Sequence, residues 1–142
     1  GNGKEVFEPV YGDENFAFIA GNTKFVCMNT NALEYDYSHP VPDFDFISRE
    51  VADSARYSKT VAVMHVKPYD DQFNNNVARL FHAEIKKFPS LQFALHAHNH
   101  KLQTTDVFKD GIIYYGCASM KQRNYMVFTL TTNGYSYEVV NY

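Results

Sequence analysis

Two short apolar runs that each end in histidine, with one helical pattern between them, constrain the fold of this chain more than any other feature. Val61–Met64 leads into His65, and Leu91–Leu95 leads into a histidine triplet that starts at His96. Continuous apolar runs of this length are typical of strands that are covered on both faces. Each strand therefore delivers an imidazole to the edge of a sheet, where open sheets place their ligands.

The composition is that of a soluble globular protein. Of 142 residues, 45% are hydrophobic and 20% are charged, which allows one buried core. The net charge of −3 and the lack of a basic block argue against nucleic-acid binding. No apolar run approaches the roughly 20 residues that span a bilayer. Cys27 and Cys117 lie in apolar runs and are expected to be buried thiols. Two such cysteines do not indicate a compartment, so the sequence leaves open whether the protein is cytoplasmic or exported.

The segments before the second run predict a hairpin and two helices. The β-prone segments Phe16–Ala20 and Lys24–Asn29 are separated by a Gly-Asn-Thr turn, which is typical of a hairpin. Apolar residues at helical spacing predict helices over residues 44–56 and 71–88. The apolar positions of these helices are Phe44, Ile47, Val51 and Ala55, and Val77, Leu80, Phe81 and Ile85.

The last third of the chain is β-prone throughout. Its segments are Leu102–Phe108, Ile112–Cys117, Asn124–Thr131 and Tyr135–Val140. Short turn sequences separate them, as in an antiparallel meander. The expected fold class is therefore α+β with an α/β-like middle: mainly one mixed sheet, with two helices and a C-terminal antiparallel meander.

The histidines favour a metal site, because neutral imidazole is the commonest metal ligand in proteins. In an extended chain, residues two apart point the same way, so His98 and His100 can converge. His96 joins them if the strand runs that far. We predict His65, His98 and His100 as metal ligands, with His96 as a further candidate. For His82, on the second predicted helix, a hydrogen-bonded or solvated imidazole is the simpler interpretation.

The order of these motifs carries further information. Met64-His65 ends one strand, Pro68 follows three residues later, and Ala97-His98-Asn99-His100 follows the next strand. This arrangement resembles the calcineurin-like metallophosphoesterases, in which a single His and then Gly-His-x-His follow successive strands. Residues 110–119 are similar to the closing strands of that family, and residues 11–29 to the hairpin before its helices. The likeness covers nearly the whole chain.

The resemblance implies a hydrolase that acts on phosphomonoesters or phosphodiesters and uses two divalent ions, of Mn, Fe, Zn or Mg. His65 and His98 would hold one ion, and His100 would reach the other. A hydroxide that bridges the ions would attack phosphorus in line. The implied fold is an αββα sandwich, of which this chain supplies mainly one sheet.

Three motifs of the family are absent from this chain: Asp-x-His, Gly-Asp-x-x-Asp and Gly-Asn-His. Gly1-Asn2 and Gly21-Asn22 both lack the histidine that should follow, and Ala97 stands where the family has glycine. The missing motifs supply the carboxylates and most of the ligands. We therefore expect residues 1–142 to be the C-terminal portion of one domain, with little or no turnover alone. An uncovered apolar sheet face favours pairing with a second copy.

Two other interpretations are open. His96, His98 and His100 could form one ion site in a binding module without catalysis, in which case ion binding depends on His96. The chain could also be a domain of this family that is kept only for assembly. Polar side chains such as Lys67 and Asn99 are able to contact a phosphate, but such residues are usually solvated. No catalytic or substrate-binding residue is assigned.

Overall fold

The computed structural model describes residues 12–34, 40–53 and 56–142. Its strands and helices, in chain order, are β1 (Phe16–Ala20), β2 (Thr23–Met28), α1 (Phe44–Ala52), β3 (Lys59–Met64), α2 (Ala78–Ile85), β4 (Leu91–His96), β5 (Gln103–Thr105), β6 (Tyr114–Gly116), β7 (Asn124–Thr131) and β8 (Gly134–Asn141). Short 3₁₀ turns cover Ala32–Glu34, Asn75–Val77 and Met120–Gln122. The expectations that concern Gly1, Asn2, Tyr11 and Ala55 lie outside the described residues.

Six strands form one mixed sheet in the order β1-β2-β3-β4-β6-β5. The four central strands β2, β3, β4 and β6 are parallel, and the edge strands β1 and β5 are antiparallel to their neighbours. The parallel order places the carboxyl ends of the central strands at one edge, called the carboxyl edge below. The α+β class, the mixed sheet and the two helices expected from the sequence are confirmed.

Secondary-structure elements pack on both faces of the sheet. α1 and α2 pack on one face and contribute Ile47 and Phe81 to its buried core. β7 and β8 form a separate antiparallel hairpin on the other face, where Phe128 stacks on Phe93 with ring centroids 4.6 Å apart. The C-terminal half of the expected meander therefore leaves the first sheet and forms a second layer.

The two helices are shorter than predicted. α1 ends at Ala52, and α2 begins only at Ala78, after an Asn-rich segment whose side chains compete with helical hydrogen bonds. The predicted apolar face of the second helix is wrong at Leu80, which is half exposed, whereas His82 is buried. Of the helices in the described ranges, none is long and apolar enough to cross a membrane.

The hairpin covers only part of its sheet face. Val61, Phe93 and Tyr115 are buried beneath it. Phe16 and Phe18, which β1 places on the same face, are 48% and 49% exposed. Within the described ranges, the apolar side chains that the hairpin leaves exposed on this face lie at the β1 end of the sheet, and pairing with a second copy stays a prediction.

A buried lysine joins β2 to the end of α1. Lys24 Nζ lies 2.6 Å from the Glu50 carboxylate and donates to the main-chain carbonyls of Glu50 (3.0 Å) and Asp53 (3.2 Å). It also lies 4.9 Å from the centroid of the Tyr57 ring. The ammonium group therefore satisfies carbonyls at the C-terminal end of α1, where the helix dipole favours a cation.

Lys24→Met should lower the free energy of unfolding by about 1–3 kcal/mol, because the Glu50 carboxylate and two carbonyls lose their donor. Urea denaturation measures the change. Lys87→Met is the matched control: Lys87 pairs with Glu84 at 2.8 Å but is exposed, so its loss should cost under about 0.5 kcal/mol. Equal losses in the two variants would contradict the role of Lys24.

A buried histidine ties α2 to β6. His82 Nδ1 lies 2.8 Å from the Tyr114 hydroxyl, and Nε2 lies 2.6 Å from the Asp110 carboxylate. Phe108 stacks on the imidazole with ring centroids 3.9 Å apart. Because an ionised carboxylate only accepts, Nε2 carries a proton and donates it. Of the two interpretations offered for His82, the hydrogen-bonded one is confirmed.

The contacts of Asp110 predict a pH-dependent stability. Burial raises the pKa of Asp110, but hydrogen bonds from His82 and Lys86 outweigh it and hold the pKa well below its usual value. A carboxyl group of this kind stabilises the fold above its unfolded pKa of about 4, and the contribution is lost as the pH falls. Asp110→Asn should therefore be less stable than the wild type at about pH 6 and lose less stability on acidification to about pH 3. Urea midpoints at both pH values measure this, and equal acid losses in the two proteins would refute it.

Candidate metal site

The carboxyl edge brings histidines that follow β3 and β4 together. His65 directly follows β3, and His98 lies on the loop after β4. The Ala97 N–H donates to the His65 carbonyl at 3.0 Å, so the parallel pairing continues past both strands. The rings of His65 and His98 lie edge to face, with centroids 5.3 Å apart. The structure thus brings together two of the three residues predicted as ligands.

A carboxylate adjoins this histidine pair. His98 Nε2 lies 3.0 Å from Oδ1 of Asp71, a residue on the loop that follows β3. Sequence reasoning did not single out Asp71, and its one signal was the Asp70-Asp71 dipeptide shortly after His65. Imidazole nitrogens and carboxylate oxygens are donors that suit zinc, manganese and ferrous iron.

His100 lies two residues beyond His98 and is exposed. Its main-chain carbonyl accepts a hydrogen bond from Gln122 Nε2 at 2.5 Å. The backbone φ is 61° at His98 and 55° at His100, so the loop is left-handed at both residues instead of extended. The alternation that would direct both rings to one side therefore does not operate here. The role of His100 as a ligand stays a prediction.

His96 is the last residue of β4 and is packed inside the fold. It is 2% exposed, its Nδ1 lies 3.3 Å from the Ala97 carbonyl oxygen, and its Nε2 has no hydrogen-bond partner among the described residues. A Cβ built on Gly116 of β6 would lie 2.8 Å from His96 Cε1. Burial lowers the pKa of His96. These surroundings are those of a neutral core imidazole seated against a glycine.

The described ranges contain an incomplete ligand set. Within residues 12–34, 40–53 and 56–142, no three His, Cys, Asp or Glu side chains form a group that could hold a metal ion. Cys27 and Cys117 are free, half-buried thiols whose pKa values are raised by burial, and neither belongs to such a group. The candidate site is therefore the His65–His98 pair with Asp71 beside it.

A polar cavity of about 160 Å³ opens near the starts of β1 and α1. Three carboxylates, those of Asp13, Glu14 and Asp43, line its wall, and two of them have structural roles. Asp43 accepts from the Phe46 N–H at 3.0 Å and caps α1, and Glu14 accepts from the Asn29 amide at 3.0 Å. No histidine belongs to the described wall of this cavity, so the histidine pair is a separate feature.

Comparisons with known proteins leave the site to be interpreted from its own chemistry. No protein-family model matches the chain, and no curated protein matches it either. The metal hypothesis therefore depends on the position of His65 and His98 and on the residues that surround them.

The packing of the His96 ring against Gly116 can be tested by substitution. Gly116→Ala should lower the free energy of unfolding by about 1–3 kcal/mol, because the added methyl group would lie 2.8 Å from the His96 ring. If the ring is the obstacle, adding His96→Ala to Gly116→Ala should cost less than the sum of the two single changes. Urea denaturation of the four proteins measures the coupling. Strictly additive losses would show that His96 does not fill the space above Gly116.

Proposed function

We propose that the protein is a metal-dependent phosphoester hydrolase in which His65 and His98 are ligands of one divalent ion. The observation that carries the proposal is the position of these two rings, with centroids 5.3 Å apart, beyond the ends of adjacent parallel strands. Open sheets with parallel strands bind their ligands at this edge. The order of the histidine motifs along the chain supports the phosphoester chemistry.

The donor set is compatible with part of such a site. Two imidazoles are donors that suit a borderline divalent ion, and they make up only part of its ligand set. A second ion, which His100 is proposed to reach, needs carboxylates to balance its charge. The motifs that would supply them, Asp-x-His and Gly-Asp-x-x-Asp, do not occur in this chain. We therefore propose that the complete site needs more than these residues and that this chain alone turns over little substrate.

The chemistry divides between the ions and the protein. When bound, the ions would supply Lewis acidity towards phosphate oxygens and towards water. The protein would hold His65 and His98 at a fixed separation, because the Ala97–His65 main-chain hydrogen bond joins the two loops that carry them.

The alternative is a binding module that holds one ion without catalysis. In its first form it uses His96, His98 and His100, and this form requires the three rings to converge. The burial of His96 and the left-handed backbone at the other two residues argue against convergence. A one-ion module based on His65 and His98 fits the geometry better.

Zinc titration in competition with a chromophoric chelator tests the metal role that the proposal gives to His65 and His98. His65→Ala and His98→Ala should each weaken zinc binding by at least about tenfold, because each removes one of two neighbouring imidazoles. His39→Ala, at a histidine for which the sequence predicts no metal role, is the matched control. Circular dichroism would verify that each variant is folded.

The outcomes separate a metal site at the His65–His98 pair from one at the histidine triplet. Loss of zinc binding in His65→Ala and His98→Ala, but not in His96→Ala, supports the proposed pair. Loss in His96→Ala and retention in His65→Ala would support the triplet module. Zinc binding that survives both His65→Ala and His98→Ala would contradict a metal role for the pair.

A further inference from the structure

Asp70 joins the loop after β3 to the loop after β4. Its Oδ1 lies 2.6 Å from Lys67 Nζ, and its Oδ2 accepts from Asn99 Nδ2 at 2.8 Å. The Lys67 and Asp70 side chains are 13% and 12% exposed. A charge-assisted, mostly buried pair of this kind resists competition from water better than a surface ion pair does. Asn99, which stands between His98 and His100, is therefore held from across the carboxyl edge.

The backbone of both loops requires such support. Non-glycine residues with positive φ occur at Tyr69 (71°), His98 (61°) and His100 (55°), on either side of the Asp70–Asn99 hydrogen bond. Each of these conformations is costly and persists only where surrounding contacts impose it. The Asp70–Asn99 bond supplies such a contact next to His98. It therefore helps to set the direction in which the His98 ring leaves the backbone.

Asp71 acts on the ring itself. Its Oδ1 lies 3.0 Å from His98 Nε2, and an ionised carboxylate can only accept a hydrogen bond. The proton of a neutral His98 ring is therefore held on Nε2, and Nδ1 keeps the lone pair. Asp71 is 78% exposed, so its side chain can be changed with little loss of packing.

We propose that the Asp70-Asp71 dipeptide positions His98 as a metal ligand, with Asp70 fixing the loop and Asp71 fixing the ring and its tautomer. Histidine ligands usually donate their second ring N–H to a carboxylate or carbonyl, and this contact raises the basicity of the ligating nitrogen. Asp70 and Asp71 are thus positioning residues and make no direct contact with substrate. The inference rests on the metal role proposed for His98.

The experiment combines zinc affinity with NMR of the imidazole nitrogens. Asp71→Ala should weaken zinc binding by about 10- to 100-fold, with an unchanged urea midpoint, and Asp71→Glu should recover part of the loss. In the metal-free wild type, the ¹⁵N shifts of His98 should report the Nε2–H tautomer, and Asp71→Ala should produce a mixture. Asp45→Ala, at an exposed aspartate on α1, is the matched control.

Asn99→Ala tests the role of Asp70, which accepts a hydrogen bond from the Asn99 side chain. It should weaken zinc binding, because it removes the hydrogen bond that Asp70 accepts from the loop that carries His98. If Asp71 had only a structural role, Asp71→Ala would lower the urea midpoint and leave the His98 tautomer unchanged.

The possible failures are distinguishable. If Asp71→Ala binds zinc as tightly as the wild type while His98→Ala does not, the positioning inference is overturned and the proposed function stands. If the wild type binds no zinc, or if His98→Ala binds it normally, the proposed function fails and the positioning inference fails with it. An unchanged ¹⁵N spectrum in metal-free Asp71→Ala would overturn the role of Asp71 in fixing the tautomer, regardless of zinc binding.

Discussion

The parallel pairing of β3 with β4 is the constraint on which the candidate site depends. Val63 pairs with Leu95, and the Ala97 N–H continues the pairing to the His65 carbonyl beyond both strands. A register shift of one residue would exchange the helix-covered and hairpin-covered faces of β4, so that each of its core side chains would meet the wrong packing partners. The packing of the core therefore fixes the separation of the His65 and His98 rings, although neither ring belongs to the core.

Several lysine and histidine side chains stabilise the packing of this fold, and they are distinct from the candidate metal ligands. Lys24 satisfies carbonyls at the end of α1, and His82 joins α2 to Asp110 and Tyr114. His96 fills the space above Gly116, and burial lowers its pKa. The number of histidines in the sequence is therefore a poor guide to the number of metal ligands, because some of the imidazoles are buried in the core.

Much of the fold, and the placement of histidines after β3 and β4, could be predicted from the sequence, because strand alternation, turn residues and apolar runs are local signals. The hairpin before α1 and the strands that end before His65 and at His96 were predicted in this way. The loop conformation at His98 was not, because it depends on Asp70 and Asp71, which lie far away in the sequence. Local patterns also misplaced Leu80, since its exposure is decided by which stripe of α2 meets the sheet.

Charge balance limits what the described residues can bind. Two neutral imidazoles give a divalent ion nitrogen donors but no compensating charge. Asp70 is already neutralised by Lys67 at 2.6 Å, whereas Asp71 contacts only His98 among the charged and titratable partners in the described residues. The pair therefore has one carboxylate available to offset a dication. A single ion at His65 and His98 is consistent with that charge, and a second ion at the same edge would require acidic residues from outside this pair of loops.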